Sequence, residues 1–161
     1  MLEFLTWLEG SALGEAMRGM GVWSYGVLNL FHVLGISTLF GSIVVLDLRL
    51  LGLWQGIPLR MVATPALPIA AAGLTLAALS GICMITVNAI DYADNPFLLI
   101  KFPAIALGLL NAAALSRFAA WKERESRAPS PREARQLAVA GGTSLACWLA
   151  AIAAGRMLGY W

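Results

Sequence analysis

The chain is 161 residues long, 60% hydrophobic and only 12% charged, with a formal net charge of +2. A water-soluble domain of this size is nearer half apolar and a quarter charged, so the composition excludes a soluble globular fold. The charge balance is also too small to suggest a nucleic-acid partner.

Residues 1–10 carry Glu3 and Glu9 and no basic residue, whereas a secretory signal opens with positive charge. Leu2, Leu5, Leu8, Ala12, Ala16 and Met20 recur at helical spacing, while Glu3, Thr6, Gly10, Glu15 and Arg18 fall largely elsewhere. This pattern predicts a short amphipathic helix over 1–20 lying in the membrane interface, with Trp7 near the headgroups. Packing on the end of a bundle and extending the first span are its alternatives.

Four stretches, 19–46, 61–90, 96–116 and 136–155, lack charged residues over spanning length, apart from Lys101 in the third. About 20 apolar residues cross the hydrocarbon core at ~1.5 Å per residue. The expected fold is all-α, an integral membrane four-helix bundle in one domain over 1–161, with spans at about 23–53, 64–90, 95–121 and 130–160. Thr64-Pro65 and Asn95-Pro96 each offer a cap followed by proline at the first helical position. Ser130-Pro131-Arg132-Glu133 is a capping box. Pro68 and Pro103 fall in early turns as bending points. The charges of 122–127 alternate in sign and suggest a solvated extension of the third helix. Cys83 and Cys147 both fall in predicted helices, either as a pair or as two free cysteines that behave as small apolar residues.

Arg49, Arg60, Arg117, Lys122, Arg124, Arg127, Arg132 and Arg135 flank one side of the four spans, and Arg18, Lys101 and Arg156 the other. Lysine and arginine accumulate on the cytoplasmic side. This bias predicts a multi-pass protein of a bacterial inner membrane with both termini in the periplasm.

The only histidine of the chain, His32, falls inside the first uncharged stretch. An ionisable or metal-binding side chain in lipid is a functional-site candidate by default. Asn29 precedes it by three residues and shares its face. The other spans bring Cys83, Met84, Asn88, Lys101, Arg156, Met157, Tyr160 and Trp161 to the same predicted leaflet, and the connection adds Asp91, Tyr92 and Asp94. The opposite leaflet offers Asp47 and Arg49, placed at a helix end, and Asn111 near mid-bilayer.

Each group has a plainer alternative. Lys101 and Arg156 snorkel to the interface or pair with Asp91 and Asp94. His32 makes an interhelical hydrogen bond, Met84 and Met157 pack, and Asn111 bonds a neighbouring helix. The functional alternative joins them. A neutral imidazole ligates haem iron or copper. Haem b is slightly favoured, because Lys101 and Arg156 then serve its propionates while His32 lies deeper, with Asn29 on the same face of its helix. A copper site uses His32 with Cys83, Met84 or Met157. Either implies electron transfer or metal handling, with a homo-oligomer or a membrane or periplasmic redox partner. One histidine supplies one imidazole ligand per chain. The competing functions are a cofactor-free scaffold or accessory subunit, and a transporter of a small anion. The sequence offers no acid–base pair or activated nucleophile that would indicate an enzyme.

Leu30-Phe31-His32-Val33-Leu34-Gly35 with Gly41, and Ala78-Leu79-Ser80-Gly81, resemble helices of copper resistance D-like membrane proteins. Asn95-Pro96-Phe97-Leu98-Leu99-Ile100-Lys101 followed by Leu109-Leu110-Asn111 is similar to that family's third helix. The run Asp47-Leu48-Arg49-Leu50-Leu51-Gly52 resembles a subgroup of short bacterial four-helix proteins. The resemblance implies a four-helix inner-membrane bundle associated with copper import. Residue by residue it touches His32, Gly81, Lys101 and Asn111.

Overall fold

The computed structural model describes residues 2–92 and 94–160, except the side chains of Leu2, Val22 and Ser24. Trp161, expected at the end of the last span, lies outside the described residues. The helices in chain order are α1 (Leu2–Glu9), α2 (Ala12–Gly19), α3 (Gly21–Leu50), α4 (Leu59–Val87), α5 (Pro96–Leu115), α6 (Ala119–Lys122) and α7 (Pro131–Met157). Single 3₁₀ turns occupy Ile90–Tyr92 and Leu158–Tyr160.

Four segments are long and apolar enough to cross a bilayer: Tyr25–Leu50, Leu59–Val87, Pro96–Leu115 and Pro131–Tyr160. The chain is therefore an all-α, multi-pass membrane protein built on a four-helix bundle. The 20 residues of α5 span about 30 Å at ~1.5 Å per residue, the thickness of the hydrocarbon core. Leu99, Leu110, Leu79 and Val139 are all more than half exposed on the bundle's outside, as lipid contact requires.

Two of the expected helix starts are realised. Asn95 Oδ1 accepts from Phe97 N at 3.0 Å, and Ser130 with Glu133 forms the reciprocal capping box. The second span differs. It starts at Leu59 rather than near 64, and Pro65 and Pro68 lie inside α4. The turn before Pro65 stays helical because Leu59, Ala63 and Ala66 recur on one face and are buried in the core. That burial outweighs the backbone hydrogen bond that Pro65 removes. The third span also ends sooner, at Leu115 rather than near 121. The chain turns at Ser116–Phe118 and forms α6, which buries Trp121 and Ala120. Residues 122–127 are therefore not an extension of that helix. Arg127 is instead paired with Glu123 and with Glu133 at 2.7 Å.

Residues 1–20 do not form the single helix that the spacing predicts. The helix breaks at Gly10–Ser11, where Ser11 Oγ accepts from Gly14 N at 3.2 Å and donates to Leu8 O at 2.6 Å. The two pieces pack on the end of α4. A Cβ on Gly14 would lie 2.9 Å from Thr86 O. Arg18 donates to Thr86 O and Val87 O, and Glu9 accepts from Ile90 N at 2.9 Å. These bonds satisfy carbonyls and an amide that a helix end otherwise leaves bare.

In the bundle, α3 packs along both α4 and α7, and α5 packs along α7; α4 and α5 make no extended contact. The crossings are made by small residues. A Cβ on Gly35 would lie 2.6 Å from Ala77 N, and one on Gly73 would lie 2.4 Å from Leu39 N. Gly141 presses on Asp47 O and Leu50 Cβ, each 3.0 Å from its absent Cβ, and Gly108 faces Trp148 Cε2 at 3.3 Å. Asn111 Nδ2 donates to Ala140 O at 2.9 Å, joining α5 to α7. All four spans converge at the end that carries the 51–58 and 116–130 connections, around Leu46, Leu59, Leu115, Trp121 and Leu137.

The Gly73 contact is with backbone, which cannot move aside. Gly73→Ala is therefore expected to cost about 1–3 kcal/mol. Gly41, whose absent Cβ meets nothing within 4 Å, is expected to tolerate alanine. Thermal unfolding of the two variants in detergent checks the contrast, and equal melting would refute the close crossing.

Candidate functional site

The His32 ring lies between α3 and α4, half-buried, with Cε1 toward Gly81. A Cβ on Gly81 would stand 2.9 Å from His32 Cε1, so the imidazole occupies the space that glycine leaves. Nδ1 is 2.9 Å from Ala77 O and 3.1 Å from Ser80 Oγ. A carbonyl oxygen only accepts, so in the neutral ring Nδ1 carries the proton. The Ser80 hydroxyl donates its own hydrogen to Leu76 O at 2.6 Å, which leaves its lone pairs to face Nδ1. Nε2 is then the unprotonated nitrogen, and it has no hydrogen-bond partner among the described residues. Metal-binding histidines show this arrangement, one ring nitrogen donating to a carbonyl and the other free to ligate.

Lys101 enters from α5. Its stem lies on Gly155 of α7, where an added Cβ would stand 3.5 Å from both Cε and Nζ. It is half-buried, and no carboxylate pairs with it among the described residues. Its charge reaches His32 electrostatically. α3 and α4 hold the His32 ring, and α5 and α7 hold the Lys101 ammonium.

The other candidates are placed differently. Asn29 is exposed, one turn from His32 on α3. Arg156 is exposed and turned toward Tyr160, stacked 4.6 Å from the ring centre and bonded to the hydroxyl. It is not directed at His32. Met84 lies one turn beyond Ser80 and Gly81 on the α4 face that meets His32, because helical neighbours recur at three and four residues. Cys83 is rotated off that face, and Met157 is 42% exposed at the end of α7. Cys83 and Cys147 are free thiols. No group of three or more His, Cys, Asp or Glu side chains gathers among the described residues. Asp91 and Asp94 are exposed and pair with neither Lys101 nor Arg156. Tyr92 is half-buried, and burial first, then Tyr25 and Asp91, pushes its hydroxyl above the usual tyrosine range.

Residues 4–161 match the model of a family of unknown function (DUF6644). The chain belongs to that family. No curated protein and no solved structure matches it.

A second buried polar group lies outside the His32 region. Asp47, expected at a helix end, lies in the last turn of α3, but it is only 3% exposed. Its Oδ2 has no hydrogen-bond partner among the described residues, and Ser144 of α7 is the polar group that faces the carboxyl. Arg49, two residues on, projects the other way and closes the next turn by donating to Ile57 O at 2.8 Å. The signal was present in Leu46 and Leu50, which flank Asp47 and enter the core.

An unpartnered carboxylate oxygen in an apolar bundle is costly. Asp47→Asn, which keeps the shape and removes the charge, is expected to raise the thermal midpoint at pH 8, by about 1–3 kcal/mol of stability. A lower midpoint would mean that the carboxylate has a compensating partner.

Proposed function

We propose that this protein holds a b-type haem through His32 Nε2, in electron transfer, near the membrane face that carries both termini. The carrying observation is the Nδ1 bond to Ala77 O, which orients the ring and leaves Nε2 as a free ligand. Lys101 supports it as the nearby unpaired cation, suited to a propionate. Arg156, held by Tyr160, serves at most the rim of such a site. Haem supplies one-electron chemistry when bound. The protein's own part is to fix the imidazole, place a cation beside it and surround both with apolar helices. One histidine per chain would provide one imidazole ligand, and Met84 or a second copy of the chain would be the source of any other, which the spectrum distinguishes.

The resemblance to copper resistance D-like proteins supports copper handling as the competing reading. It is the weaker one here. Of the soft groups named for it, only Met84 shares the face of α4 that meets His32, so a multi-ligand copper site is not assembled.

We also propose that the membrane is a bacterial inner membrane, with the 51–58 and 116–130 connections cytoplasmic. The excess of arginine and lysine at those connections supports it. An alkaline phosphatase fusion at the C-terminus is expected to be active, and one in the 123–129 turn inactive. The opposite pattern would invert the topology.

Haem binding is read from the Soret band of detergent-purified protein after reconstitution. The wild type is expected to bind one haem per chain or per two chains, His32→Ala to lose the band, and Lys101→Met to weaken affinity by about tenfold, the worth of one charge-assisted contact. A wild-type protein without a Soret band, or a His32→Ala variant with an unchanged one, overturns the proposal. Tight copper(I) binding lost in both His32→Ala and Met84→Ala would establish the copper reading in its place.

A further inference from the structure

At the end of the bundle opposite the termini, a cleft of about 430 Å³ opens between the 51–58 turn and the 123–129 turn. Its walls carry Arg49, Arg60, Arg124 and Arg127, against one acidic side chain, Glu125. The arginines are not equivalent. Arg127 is neutralised, bound by Glu123 and by both oxygens of Glu133 at 2.7 and 2.8 Å. Arg49 and Arg124 are held by carbonyls instead. Arg49 Nε donates to Ile57 O at 2.8 Å. Arg124 Nη1 donates to Trp121 O at 2.7 Å, and its guanidinium lies 4.7 Å over the Trp121 ring. Arg60 is exposed and has no ion pair among the described residues. A carbonyl fixes a guanidinium without cancelling its charge. Two arginines are therefore pre-positioned with free N–H groups, beside a third that is unpaired.

Depth and surroundings identify the ligand. The cleft lies where α3 ends at Leu50, α4 begins at Leu59 and α7 begins at Pro131, the level of lipid headgroups. Its lining includes Leu59 and Ala120, which belong to the apolar core. The turn that forms one wall exposes Leu53, Trp54 and Ile57, each at least 44% accessible, and Met61 follows at 61%. A cationic cleft with an apolar rim at the interface suits a phosphate that carries acyl chains. A free phosphate solute has no use for the rim. Guanidinium groups bind phosphate oxygens through paired N–H donors, and basic pockets between spans take up anionic headgroups.

We propose that this cleft binds the phosphate of an anionic phospholipid headgroup, held by Arg49, Arg60 and Arg124. The site is independent of the haem assignment, since it lies at the other end of the bundle.

Native mass spectrometry of the full chain in detergent, titrated with phosphatidylglycerol, phosphatidylcholine or inorganic phosphate, tests it. Phosphatidylglycerol is expected to bind about tenfold more tightly than phosphatidylcholine and to weaken with added salt. Arg49→Gln with Arg124→Gln is expected to lose that preference. Arg60→Gln, whose side chain makes no hydrogen bond to the fold among the described residues, is expected to weaken phosphatidylglycerol about threefold or more without loss of folding. Arg117→Gln with Arg132→Gln removes two charges from the same end but outside the cleft, and is expected to leave the preference intact. Equal loss in the control pair would reduce the effect to general surface charge and overturn the proposal. So would equal binding of the two lipids, an unaffected Arg60→Gln variant, or inorganic phosphate displacing phosphatidylglycerol at equal concentration, which would mark a soluble-anion site.

Discussion

The contact of Gly35 and Gly73 between α3 and α4 governs both the packing of this bundle and the state of its histidine. Between helices in lipid there is little hydrophobic driving force, so association depends on close packing and on polar contacts. Gly35 approaches the backbone N of Ala77, and Gly73 that of Leu39. His32 lies three residues before Gly35 on the same face, and its Nδ1 reaches the carbonyl of that same Ala77. Gly81 then admits the ring at Cε1. The backbone separation and the imidazole geometry are therefore one constraint. Moving α4 outward by the width of a methyl group would stretch the Nδ1 bond beyond hydrogen-bonding distance.

The spans are not equally sealed at their two ends. Leu46, Leu59, Leu115, Trp121 and Leu137 draw them together at the connection end, and α6 contributes to that closure by burying Trp121. Along the rest of the bundle the order α4, α3, α7, α5 leaves α4 and α5 without extended contact. Polar groups follow this asymmetry. Asp47 is enclosed by the converging end and left with an oxygen unpartnered among the described residues. His32 and Lys101 lie further along, where the helices that carry them are spaced by glycines rather than filled by large side chains.

The spans were legible because charge is nearly absent from them, and that absence needs no knowledge of packing. The caps at Asn95 and Ser130 were legible because capping is local chemistry. The Asn111 bond to Ala140 O followed from a lone amide in lipid. What failed depended on tertiary contact. Pro65 looked like a helix start because proline favours the first position, yet burial of Leu59 and Ala63 extends α4 upstream of it. The N-terminal helix breaks because Ser11 caps a new helix and Gly14 must approach Thr86. The rotation of each span was hidden for a more general reason. These helices are apolar nearly all round, so no amphipathic stripe marks the inward face. Lys101 and Arg156 therefore looked alike in the sequence, although one turns onto Gly155 near His32 and the other out to Tyr160. The burial of Asp47 was hidden for the same reason.

The geometry at His32 also bears on whether the ring is merely a bridge between helices. Such hydrogen bonds contribute only about 0.6 kcal/mol on average within membranes, and at most about 1.7 kcal/mol. Nδ1 alone makes that bridge. The ring still brings a second nitrogen into the bundle, and Nε2 keeps a lone pair without a donor among the described residues. Nε2 is not sealed inside the bundle, so leaving it unmatched costs the fold little. The proposed function uses that lone pair: an electrophile would meet Nε2, and an anion would meet Lys101.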